Sequence, residues 1–135
     1  MICHIEAGNG IAIYEQIERQ VKFSIANGSL VVGERVPSVR ELAIQAAVNV
    51  NTVARAYREL QQQGVLDSIR GTGLTVSAAA PAACALMRLD MIRDRLRSVL
   101  HEALRNQISA DEIRTLVNDE WEKLSHEAGA SDNTS

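Results

Sequence analysis

Aromatic residues are almost missing from this chain: one Phe, one Trp and two Tyr among 135 residues, 3% in all. Without large rings the core falls to Leu, Val, Ile and Ala, and so thin a core in so short a chain gains stability from a partner's surface. No apolar run approaches the ~18 residues of a membrane helix, and no secretory hydrophobic segment lies near Met1, so no membrane association is expected. Only two cysteines occur, Cys3 and Cys84, far apart in sequence. With no leader segment they point to a reduced, cytoplasmic, soluble protein without a disulfide. A phosphate loop and a nucleotide-binding fingerprint are both lacking, and His4, His101 and His126 have no acidic and nucleophilic neighbours at a catalytic spacing. The chain therefore reads as no enzyme, and no cofactor is expected. A marked charge excess is lacking too: 14 basic against 17 acidic residues leave a net charge of -3. Between Arg35 and Arg70, however, five basic residues meet three acidic ones, so the placement of arginines matters more than their sum.

What is present is helical periodicity. Residues 1–11 show no clear period and form an N-terminal arm. From Ile13, the apolar residues Ile13, Ile17, Val21 and Ile25 recur every four positions until Asn27-Gly28 stops the helix. In VPSVREL, Ser38 and Glu41 have the spacing of a capping box that starts a short second helix with Val39, Leu42, Ala43 and Ala46 inward. Asn49 then caps a third helix whose apolar face is Val53, Ala56, Tyr57 and Leu60, and Gly64 ends it. Two β-rich pieces, Val65 to Ile69 and Leu74 to Ser77, flank Arg70-Gly71-Thr72-Gly73 as a hairpin, with a short third strand expected near Arg35 and Val36. Three helices followed by a hairpin make a winged helix-turn-helix over residues 12–77. Pro81 in AAAPAAC marks a linker at 78–84. Residues 85–127 read as a two-helix hairpin, with a second capping box at Ser109 and Glu112, and residues 128–135 as a flexible tail. The fold class is mainly α with a small β-wing.

The third helix raises the functional question. With its apolar face inward, Asn51, Thr52, Arg55, Arg58, Glu59 and Gln62 must take the other side and its flanks. Asn can pair with adenine, Arg with guanine and Thr with a base edge or a thymine methyl, and the major groove of double-stranded DNA admits one such helix. The bland account, polar residues facing water, weakens once the tight turn before this helix and the hairpin after it are included, because they set the same face at a protruding edge. Arg40 lies in the first turn of the second helix, unfavourable for a cation unless it extends to a phosphate or a guanine. Ser38 and the amides beside it offer a phosphate site, although capping alone also accounts for Ser38. Arg70 at the slim Gly71-Thr72-Gly73 tip can enter a minor groove or hold a phosphate. Arg58 and Arg35 are further phosphate candidates.

The stretches IYEQI, PSVREL, NTVARAYREL, QQGVL and RGTG, spread over residues 13–77, together resemble the DNA-binding domain of GntR-family bacterial transcription regulators, particularly the short YtrA subfamily. The resemblance implies that Arg40 approaches operator DNA, that Val50, Asn51 and Thr52 start the recognition helix, and that Arg70 and Gly71 form the wing tip. It also implies that the two-helix tail dimerises the protein, and that a nearby operon, such as one for an ABC transporter, is controlled. Two positions depart from the family pattern: Ala47 stands where glycine is common in the turn, and Val50 where proline or arginine is common.

An isolated helical hairpin has no self-sufficient core, so its stripes must meet the winged domain or a second copy of themselves; a homodimer is expected, with contacts from Leu89, Ile92, Leu96, Val99 and Ala103 and from Ile113, Leu116, Val117, Trp121 and Leu124. Repression by blocking promoter access is the simplest mechanism. The two-helix tail has little room for a small-molecule effector except in a cleft between protomers. Two alternatives stand beside this reading. A metal-sensing winged helix would use Cys3, His4, Cys84 and His101, whose spacing matches no zinc pattern, so no metal is expected. A winged helix used only for protein interaction would show no salt-sensitive DNA affinity.

Overall fold

The computed structural model describes residues 4–132, with side chains as far as residue 129. The elements in chain order are α1 (Ile13–Ala26), α2 (Val39–Ala46), α3 (Val50–Gln62), β1 (Leu66–Ile69), β2 (Gly73–Val76), α4 (Ala80–Arg105) and α5 (Ala110–Asp132). This is the winged helix-turn-helix followed by a helical hairpin that the periodicity predicts. The chain divides after Ile92 into two compact units, with α4 beginning in the first and continuing in the second.

In the first unit, Ile17, Val21 and Ile25 of α1, Leu42 of α2, and Val53, Ala56, Tyr57 and Leu60 of α3 form one buried cluster with Val65, Leu66 and Val76 of the hairpin. Tyr57 is the largest fully buried side chain, and its hydroxyl donates to the Pro37 carbonyl at 2.7 Å. A buried phenol needs such a partner, and this one ties α3 to the entrance of α2. Strands β1 and β2 pair antiparallel from Leu66↔Val76 to Ile69↔Gly73. The expected third strand is a single bridge, Arg35↔Thr75, bracketed by amide bonds from Val36 to Leu74 and from Val76 to Glu34.

Three helices end in the same way. After α2, α3 and α4 a residue adopts the left-handed conformation (Ala47 at φ 55, Gly64 at φ 77, Gln107 at φ 60), and the amide beyond it bonds back five positions, Val48 to Ala43, Val65 to Leu60 and Ile108 to Ala103. Those bonds satisfy carbonyls that a helix end leaves open. Only the second of the three turns has the glycine that the conformation favours.

Two expected boundaries move. Of residues 78–84, read as a linker, only 78 and 79 lie outside α4, which begins at Ala80: Pro81 stands in its first turn, where a missing N–H costs no helical bond, and Ala80 and Cys84 are buried in the core of the first unit. The expected flexible tail from Ala128 is helical as far as Asp132, and residues 133–135 lie outside the described residues. Of the arm expected at 1–11, residues 1–3 lie outside the described residues, and the part from residue 4 on has no helix or strand but is pinned. The Gln16 amide donates to the Glu6 and Ile11 carbonyls at 2.9 Å each and accepts from the Glu6 amide, and Gln20 exchanges two bonds with the His4 backbone.

In the second unit the capping box predicted at Ser109 is reciprocal. The Glu112 amide donates to Ser109 Oγ at 3.1 Å and the Ser109 amide to Glu112 Oε2 at 2.8 Å. Leu100, Ala103, Leu104, Ile108, Ala110 and Ile113, with Arg114, line an apolar cleft of about 350 Å³ where the two helices join. Leu96, Val99, Leu116, Val117, Trp121 and Leu124 are all exposed, Trp121 at 72%.

Candidate nucleic-acid interface

The site is built on two helix N-termini and the wing. Ser38 caps α2, its Oγ accepting from the Glu41 amide at 3.1 Å, and Asn49 caps α3, its Oδ1 accepting from the Asn51 amide at 2.7 Å. Both caps consume acceptor capacity and leave the Ser38 hydroxyl hydrogen able to donate outward. At the wing the Thr72 amide bonds to the Ile69 carbonyl at 3.0 Å, and Gly71 at φ 82 is the third residue of that turn. A type II turn demands a left-handed residue there.

Ser38, Arg40, Val50, Asn51, Arg55, Arg58, Arg70, Gly71 and Thr72 are all exposed, as the phase of the helices and the hairpin tip require, whereas Thr52 is half-buried on the flank of α3. The arginines fall into two groups. Among the described residues nothing bonds or pairs with Arg40, Arg58 or Arg70. Arg35 and Arg55 are engaged. Arg35 lies 3.3 Å from Glu41, and this guanidinium, together with the Ser38 backbone amide, holds the Glu41 carboxyl below the usual carboxylate range. Arg55 Nε lies 3.4 Å from Glu59 Oε1, and its guanidinium carbon stands 3.7 Å from the centre of the Tyr14 ring. A narrow cleft of about 220 Å³ lined by Arg35, Pro37, Ser38, Tyr57 and Gly73 separates the α2 entrance from the wing.

Periodicity missed one cluster beneath this surface. Glu18 of α1 is buried at 8% exposure, and its carboxyl hydrogen-bonds to Glu59 of α3. Burial, and then the bond to Glu59, push the Glu18 carboxyl up to about 8, so it holds a proton at neutral pH. That bond, followed by the one from Arg55, holds the Glu59 carboxyl low. The signal was in the sequence as two i,i+4 pairs, Tyr14 with Glu18 and Arg55 with Glu59, on helices that pack together. Among the described residues no three His, Cys, Asp or Glu gather to hold a metal; Cys3 lies outside them, and Cys84 is buried with its thiol pushed up by burial.

The sequence profile of the bacterial regulatory proteins of the gntR family matches residues 13–76. The HTH-type transcriptional repressor YtrA of Bacillus subtilis is 35% identical over 99 residues, which cover 73% of this chain and 76% of that protein. The chain belongs to the GntR family. This GntR-family transcription regulator is also similar over its length to a solved structure, YtrA from Sulfolobus acidocaldarius, at a TM-score of 0.53 and 30% identity, covering 90% of this chain and 97% of the other. The DNA-binding domain of AraR, solved in complex with its operator ORX1, matches at a TM-score of 0.51 and 26% identity over 55% of this chain and 94% of that one. The family is regulatory and not catalytic, and its DNA-binding fold is the first unit described above. Among the described residues no helix is long and apolar enough to cross a membrane.

Proposed function

We propose that this regulator is a homodimeric repressor that reads a two-fold operator with α3 and its wing. The observation that carries the reading is a set of exposed cations that no described residue pairs with, Arg40 at the α2 entrance, Arg58 on α3 and Arg70 at the wing tip, together with the exposed Asn51 at the start of α3. Asn51 is suited to an adenine, Arg40 and Arg70 to a guanine edge or a phosphate, and Val50 and Thr52 to a thymine methyl. Ser38 donates to the backbone, and Gly71 and Thr72 let the wing approach it closely. The operator-bound AraR domain supports this use of the fold.

The second unit supplies the dimer. Apart from Ala103, which is buried, and Ile113, which is half-buried, its predicted stripe residues Leu96, Val99, Leu116, Val117, Trp121 and Leu124 stand exposed, as do Leu89 and Ile92 at the end of the first unit, and a hairpin of two helices has no layer of its own to cover them. A second copy would cover them and set two recognition helices roughly 34 Å apart, one turn of the duplex. Bound at a promoter, such a dimer blocks polymerase access. A nearby operon, for instance one encoding an ABC transporter, is the proposed target, and a small-molecule effector would find space only between protomers.

The test is selection of bound fragments from a random duplex library, followed by a salt titration on the selected operator and on a scrambled duplex. Arg40→Ala and Arg70→Ala are expected to lose discrimination by about 1–3 kcal/mol where the arginine meets a base. Where it meets only phosphate, binding to all sequences weakens and the salt slope falls by about one. A protein that retains no duplex at low salt ends the reading.

A further inference from the structure

Arg55 differs from Arg40, Arg58 and Arg70 in being held, and from Arg35, which meets only Glu41, in being held on two sides. Its Nε lies 3.4 Å from Glu59 Oε1, and its guanidinium carbon stands 3.7 Å from the centre of the Tyr14 ring, while no described residue takes its two Nη groups. The holder is itself held: Glu59 is bonded to Glu18, which is buried on α1 and has its Oε1 unpartnered among the described residues. Stability does not explain the arrangement. An exposed i,i+4 ion pair contributes little, whereas burying a carboxyl with an unmet oxygen is costly. What the arrangement does provide is a half-exposed guanidinium fixed at one edge and along one face, with its two Nη groups left as a fork for a ligand. A fork fixed in advance loses less rotamer freedom on binding than a free arginine does. The Glu59 carboxylate also offsets its charge, so the fork adds little to indiscriminate attraction for phosphate.

We propose that Tyr14 and Glu59 are positioning residues for sequence discrimination, holding Arg55 so that its two Nη groups meet a base edge of the operator. The inference rests on the DNA-reading role of α3, and it assigns part of that role to a residue of α1.

The experiment compares the full-length protein's affinity for the selected operator with that for a scrambled duplex at several salt concentrations. Arg55→Ala should reduce the ratio of the two affinities about tenfold. Tyr14→Leu, which removes the ring, should reduce it about two- to fivefold, and Tyr14→Phe, which keeps the ring, should restore it. Glu59→Gln should lower the ratio and raise affinity for the scrambled duplex, since an acid near phosphates is lost. In an Arg55→Ala background, Tyr14→Leu should have no further effect. Circular dichroism melts on each variant set the folded fraction, and a variant that melts early is measured below its transition. The proposal is overturned if Tyr14→Leu leaves the ratio unchanged, if operator and scrambled affinities fall in parallel, or if Tyr14→Leu acts equally without Arg55. Wild-type protein that binds neither duplex would sink the DNA-reading role itself, a result distinct from all of these.

Discussion

Ala47 and Gln107 hold the left-handed backbone at the ends of α2 and α4 without being glycine. For a residue with a Cβ that conformation costs roughly 1–2 kcal/mol, against which glycine loses roughly 0.4–1 kcal/mol through its freer unfolded chain. Ala47→Gly and Gln107→Gly are therefore each expected to stabilise the protein by about 0.5–1 kcal/mol, read as a shift in the urea midpoint at constant slope. Glu18 makes a different prediction, in pH. Its carboxyl titrates at about 8 in the folded chain against 4.5 ordinarily, so it binds its proton more tightly folded than unfolded. The stability it contributes is complete below 4.5 and is lost as pH rises to about 8. Glu59, held low by Glu18 and Arg55, works in the opposite sense: its contribution is present above 4.5 and fades as acid protonates it. Lys22, which favours the Glu18 anion, and Glu15, which opposes it, lie close enough to shift the midpoint. Glu18→Gln keeps a donor toward Glu59 and cannot ionise. It should melt close to wild type at pH 5 and above wild type at pH 9; equal pH dependence in the two proteins would refute the assignment.

At the scale of elements, the recognition helix, its cap and its wing were legible because each rests on local chemistry. Asn49 satisfies the Asn51 amide, Gly64 takes the left-handed position, and Ser109 with Glu112 closes a box. Asn49→Ala should cost about 1 kcal/mol, the usual worth of an N-cap. Gly71→Ala, at φ 82 with open space around the new methyl, should cost about 1 kcal/mol through backbone strain alone. Thermal melts check both. The start of α4 was not legible from the same rules, because Pro81 reads equally as a helix breaker and as a first-turn residue. What decides between them is burial of Ala80 and Cys84 against the first unit's core, which no local pattern contains.

At the scale of the whole molecule, the two units differ in how far each covers its own apolar side chains. The first closes a core around Tyr57 and Leu60, while the second leaves Leu96, Val99, Leu116, Val117, Trp121 and Leu124 open. Val99→Asp or Leu116→Asp is expected to turn a dimer into a monomer in sedimentation and to weaken operator binding roughly 100-fold or more, as the second half-site loses its tethered partner. Unfolding of the first unit should hardly change, because neither residue belongs to it. A monomeric wild-type protein would contradict the dimer outright.

The sequence by itself determined the helices, the caps, the wing turn and the polar face of α3, because these depend on the spacing of apolar residues and on bonds between near neighbours. It also placed Arg40, Asn51 and Arg70 at the surface, since helical phase and a glycine-rich tip leave them nowhere else to go. Tertiary packing decided that Arg55, beyond its i,i+4 pair with Glu59, is held from a second side. That second hold depends on Tyr14 and Glu18 of α1 meeting Arg55 and Glu59 of α3 across some forty intervening residues. Contacts of that kind exist only once two helices share a core, because their energy depends on distance and burial and not on spacing along the chain.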